Sequence, residues 1–102
     1  IIATGHDHGY SRTYLMDNFE TQSIVSNSNT LKLEKGKTFA FVSGLGGKSV
    51  SDQNPDAARK PWWAAIYNST QEGNFGALFC NFNENGVKNQ AHCYFKDIDN
   101  NF

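Results

Sequence analysis

A chain of 102 residues has room for one domain with a modest core and nothing in it marks a second, so residues 1–102 read as a single domain or a fragment of one. Nine Lys and Arg against ten Asp and Glu leave a formal net charge of -1, which offers nucleic acid no basic surface. At 38% hydrophobic residues and a mean hydropathy of -0.58, no apolar run approaches the length of a bilayer span, and neither a membrane segment nor a remaining secretory leader is expected.

Ile1-Ile2-Ala3-Thr4 opens the chain as a β-branched run. It reads as the middle or end of a buried strand, as though cut from a sheet whose other strands lay upstream. Gly5-His6-Asp7-His8 follows on a turn, and Gly9-Tyr10-Ser11-Arg12-Thr13 leads away from it. Two histidines one residue apart at a strand end can both turn an imidazole nitrogen into one polar crevice, where metals are held by His and carboxylate. The plainer alternative is a solvated pair in a loop. Asp7, between them, tends to project the other way. Arg12 either helps hold phosphate or pairs with a carboxylate to brace the loop, and bracing is the expectation.

Residues 10–16 read as extended, and residues 17–29, polar and rich in Ser and Asn, as a long connection. The alternation over 30–34, the turn at Lys35-Gly36 and the aromatic run over 37–43 predict a hairpin, with Lys32, Lys35 and Lys37 as its solvated end. Gly44-Leu45-Gly46-Gly47 comes directly after that strand. Its structural reading is a tight turn needing positive φ; its functional reading is a loop at the rim of the metal crevice. Asp56 to Lys60 has room for one helical turn before Pro61. The tandem Trp62-Trp63 is expected to pack in the core, stacking on a ligand being the alternative. Asn68-Ser69-Thr70 is a glycosylation sequon in a loop over 68–74.

The clearest strands are 75–82 and 91–98, joined by the turn-rich Asn83-Glu84-Asn85-Gly86 and expected to pair antiparallel. They bring Cys80 and Cys93 onto neighbouring strands, so a cross-strand disulfide is geometrically open to them, two buried free thiols being the alternative. With the sequon, this leans towards an extracytoplasmic or secreted protein. His92 reads as an ordinary strand residue. Residues 97–102 read as a turn entering a last short strand.

GHxH followed by xYxRT resembles the last metal motif of the calcineurin-like metallophosphoesterases, in the variant of the purple acid phosphatases and their relatives. The Gly-x-Gly-Gly turn after a strand and the stretch from Trp62 onward resemble the same family's C-terminal part. The resemblance implies a mostly β chain of antiparallel strands with little helix, forming the C-terminal part of an αββα sandwich. It implies His6 on one ion of a metal pair and His8 on the other, with two divalent or trivalent ions (Fe, Zn or Mn) in the intact enzyme and a phosphate ester as substrate. The family's upstream motifs, DxH, GDxxD and GNH(D/E), do not occur in these residues. This chain alone is therefore expected to bind metal weakly and not to turn over phosphate esters, and no catalytic acid or base is assigned. Its partner would be a missing N-terminal portion or another chain. Two further readings stand beside this one: a noncatalytic β-rich module that associates with itself or a partner through strand edges, and a simple metal-binding β domain.

Overall fold

The computed structural model describes residues 1–99. Among the described residues there are eight strands: β1 (Ile2–Thr4), β2 (Tyr10–Thr13), β3 (Leu15–Asn18), β4 (Ser23–Ser26), β5 (Ala40–Ser43), β6 (Trp63–Tyr67), β7 (Gly76–Phe82) and β8 (Ala91–Asp97). One four-residue helix, α1 (Pro55–Ala58), and two short 3-10 turns complete it, so the protein is mostly β with little helix, as expected. Asn54 caps α1 by accepting from the backbone N–H of Asp56 and Ala57, and Pro55 occupies the first turn, where its missing donor is harmless.

The strands form one four-stranded sheet, in the order β1-β5-β2-β6, and two ribbons, β3-β4 and β7-β8. Antiparallel pairing dominates, with one departure from the expectation: β1 runs parallel to β5, Thr4 facing Val42. The predicted hairpin over 30–43 is also corrected. Only an isolated Glu34↔Lys37 bridge closes there, because β5 fills its hydrogen bonds with the distant β1 and β2. Residues 17–29, read as a connection, contain most of the β3-β4 ribbon. Asn18 starts its turn, Oδ1 accepting from the N–H groups of Glu20 and Thr21 at 2.9 and 3.0 Å, which leaves Ile24 and Val25 free to extend. β1 is not buried either. It is an edge strand, and Ile1 and Ile2 are 64% and 44% exposed.

The core forms where the four-stranded sheet meets the β7-β8 ribbon, around Tyr10, Leu45, Tyr67 and Phe95. Tyr10 stacks on Phe95 at 4.5 Å between ring centroids, and Tyr67 tilts against Phe95 at 5.4 Å. The tandem tryptophans are only partly buried and stand outside the core cluster, against expectation; Trp63 opens β6, which among the described residues is the other edge of the sheet. Trp63 instead donates its indole N–H to the Ala57 carbonyl at 3.0 Å and ties α1 to β6. The strand expected within 97–102 lies largely outside the described residues.

Tyr67 donates its hydroxyl to the Asp97 carboxylate and accepts the Asn74 N–H at 3.1 Å. Burial, then the Asp97 hydrogen bond, hold its pKa above the ordinary value of 10.0. Tyr10 is raised too, by burial, with Arg12 opposing. A raised folded-state pKa means the native state keeps its proton longer than the unfolded chain. The stability this confers is complete below the unfolded pKa and is lost as pH climbs from there through the folded value. Urea midpoints measured from about pH 8 to about pH 11 are expected to fall above about pH 10, and Tyr67→Phe to flatten that fall, leaving the Tyr10 contribution. An equally steep fall in the variant would place the alkaline sensitivity elsewhere.

Candidate functional site

The motif occupies the connection between β1 and β2. Thr4 ends β1 with its hydroxyl donating to the Phe41 carbonyl at 2.9 Å. The chain then makes two consecutive three-residue turns, Asp7 N–H donating to the Gly5 carbonyl at 3.0 Å and Gly9 N–H to the Asp7 carbonyl at 2.9 Å. His6 is the apex of the first turn and His8 of the second. His6 has φ 75, the hand in which such a turn is rare and strained. Histidine tolerates this region better than most side chains, and strained backbone of this sort gathers at functional sites.

Because β1 and β5 are parallel, the loops leaving their C-terminal ends lie side by side, the edge at which open sheets containing parallel strands place ligands. The loop after β5 is the glycine-rich one, and it grips the motif at several points. Gly44 N–H donates to the Gly9 carbonyl at 3.0 Å, Ser51 N–H donates to the His8 carbonyl at 2.8 Å, and the His8 ring nitrogen Nδ1 lies 2.6 Å from Ser49 Oγ. A Cβ on Gly44 would stand 1.9 Å from the Asp7 carbonyl oxygen. The turn reading of the Gly-rich loop holds at Gly47, with φ 135, while Gly44 is small because the motif backbone lies against it.

His6 is exposed and His8 half-buried. Asp7 is exposed and borders a cavity of about 270 Å³ whose walls include Ser51, Gln53, Trp63, Ile66 and Asn68. Arg12 Nη2 donates to Asn29 Oδ1 at 2.8 Å, an amide and not the carboxylate expected, and so ties β2 to residue 29 rather than to the motif loop. His92 lies on β8 opposite Asn81, in the ribbon, beside the Tyr94 ring at 5.6 Å. Cys80 and Cys93 face each other across β7 and β8 and are joined as a disulfide, with Cα atoms 4.1 Å apart. Asn68, the sequon residue, is 7% exposed and already committed. Its Oδ1 accepts from Thr70 N–H at 3.0 Å and its Nδ2 donates to Gln53, so a glycan on Nδ2 would have to be fitted beside the Gln53 side chain.

Two imidazoles are apt nitrogen donors for Zn, Fe or Mn, but a closed site needs about four ligands. Among the described residues no group of three or more His, Cys, Asp or Glu stands close enough to hold an ion. Sequence reasoning missed Ser49, which meets His8 across 41 residues and follows the Gly-rich loop with no local signal of its own. No protein-family model, curated protein or solved structure matches the chain.

Proposed function

We propose that this chain is the C-terminal part of a metal-dependent phosphoesterase, supplying the His6 and His8 arm of a dinuclear centre and inactive by itself. The observation that carries the reading is the pair of histidine-tipped turns at the C-terminal edge of the parallel β1-β5 pair, clamped by the loop after β5. His6 and His8 would each hold one ion. The remaining ligands would come from an upstream segment or a second chain. When bound, a metal pair of this kind supplies an activated water and charge neutralisation at the phosphoryl oxygens. The chain's own part is to fix the imidazoles before the ions arrive: the 44–51 loop holds the motif backbone, and Arg12 ties β2 to Asn29. The Cys80–Cys93 disulfide supports an extracytoplasmic location, since such bonds persist in oxidising compartments.

Zinc titration of the purified chain, followed by imidazole resonances in two-dimensional NMR, tests this. His6 and His8 are expected to respond together and His92 not at all, and His6→Ala or His8→Ala to weaken the response at least about tenfold. If His6 and His8 respond no more than His92, the motif is not a metal arm. A second reading, association through strand edges, draws on the open side of β1 and its exposed Ile1 and Ile2. Sedimentation of the metal-free chain decides it: a concentration-dependent dimer supports it, and a monomer at every concentration removes it.

A further inference from the structure

The 44–51 stretch does more to His8 than hold its backbone. Ser51 N–H takes the His8 carbonyl at 2.8 Å, and two residues earlier Ser49 Oγ lies 2.6 Å from His8 Nδ1, so one short stretch fixes both the main chain and the ring of the same histidine. That stretch is itself anchored. Ser69 N–H donates to the Ser51 carbonyl at 3.1 Å, and Ser69 Oγ donates to Asp52 at 2.7 Å. Ser49 therefore lies two residues from a point tied to the 3-10 turn Ser69–Gln71.

A neutral imidazole has one N–H and one lone pair, and whatever engages one nitrogen decides what the other can do. We infer that Ser49 is the positioning residue of His8: Nδ1–H donates to Ser49 Oγ, which selects the tautomer whose Nε2 lone pair is open to a metal ion. This inference rests on the metal-arm reading for the identity of the ligand, but the tautomer can be read without any metal. The opposite arrangement, with Ser49 donating to Nδ1, would place the proton on Nε2 and close that nitrogen. Partners of this kind, on the far nitrogen of a ligating histidine, are worth roughly 10- to 100-fold in metal affinity.

The experiment is long-range ¹H–¹⁵N NMR of the histidine rings in the full chain, with Ser49→Ala and Ser49→Thr, first without metal and then with zinc chloride. The wild-type chain should show His8 as the Nδ1–H tautomer. Ser49→Ala should return it towards the Nε2–H form that free imidazole prefers and weaken zinc binding about tenfold; Ser49→Thr, which keeps the hydroxyl, should restore both. Unchanged amide signals across β7 and β8 show that the variants fold. A wild-type His8 already in the Nε2–H form, or a Ser49→Ala chain with unaltered tautomer and zinc affinity, overturns the inference. If Ser49→Ala shifts the tautomer while zinc moves neither His6 nor His8, the positioning role stands and the metal-arm reading is lost.

Discussion

Gly44→Ala is expected to destabilise the protein by about 2–3 kcal/mol and to displace the His6 and His8 resonances together. The reason is steric and local. The added methyl would lie 1.9 Å from the Asp7 carbonyl oxygen, 2.9 Å from its carbon and 3.5 Å from His8 Cα. All three are backbone atoms, so no rotamer change makes room, and either the motif turn or the strand end must move. Movement of the turn breaks the Gly44–Gly9 hydrogen bond and draws His8 away from Ser49. Gly46 is the natural control, because nothing lies within 4 Å of a Cβ there and its φ is not positive. Gly46→Ala should change stability by no more than about 0.5 kcal/mol and leave both histidines alone. Urea denaturation with the NMR spectrum of each variant measures this. A Gly44→Ala chain as stable as wild type, with unshifted histidines, would mean that the two loops do not pack as described.

The parts of the fold legible in the sequence are those whose partner is near in the chain or whose signal is strong. β7 and β8 are apolar, aromatic-bearing runs that flank a turn rich in Asn and Gly, and they pair in the register that sets Cys80 against Cys93. The helical turn expected over 56–60 forms as α1, one residue earlier, where Asn54 caps it and Pro55 opens it. What could not be read is pairing at long range. β5 looks like half of a hairpin because residues 30–34 alternate in front of it, but its real neighbours are β1 and β2, and only the folded sheet shows that the parallel partner wins. The tryptophans misled for a related reason: size argues for full burial, whereas Trp63 opens an edge strand and Trp62 just precedes it, and both stay partly exposed.

The candidate site divides in the same way. His6 and His8 are conspicuous by spacing, and the turn-forming glycines on either side of them are visible too. The clamp is not. Nothing in Gly44-Leu45-Gly46-Gly47-Lys48-Ser49 says that its first residue lies against Asp7 or that its last meets an imidazole, because both contacts depend on β1 and β5 running the same way. A site built by two loops from adjacent parallel strands is half legible in sequence, namely the half that carries unusual residue types.

The second large effect is expected at the disulfide. Reducing Cys80–Cys93, or replacing both by Ala, should lower stability by about 3 kcal/mol, the loop-closure value for a bridge across a loop of this size; the two cysteines are 13 residues apart. The consequence should be uneven. A two-stranded ribbon is marginal by itself, and this one is covered on one face only: Leu78 and Phe95 turn to the core, while Phe79 and Tyr94 on the opposite face are 47% and 40% exposed. The half of the ribbon nearer the Asn83–Gly86 turn has no buried residue, so there the bridge stands in for packing. Phe95 belongs to the other half, two residues beyond Cys93, and its stack on Tyr10 is what couples the ribbon to β2 and hence to the strand that leaves the motif. Hydrogen exchange after reduction should therefore accelerate first between Cys80 and Cys93 and only later at Phe95 and Tyr10, with urea midpoints falling in step. Uniform acceleration across β2, β6 and the ribbon would instead mean that the bridge holds the whole core, and unchanged exchange would mean that the Tyr10–Phe95–Tyr67 packing carries the ribbon without it.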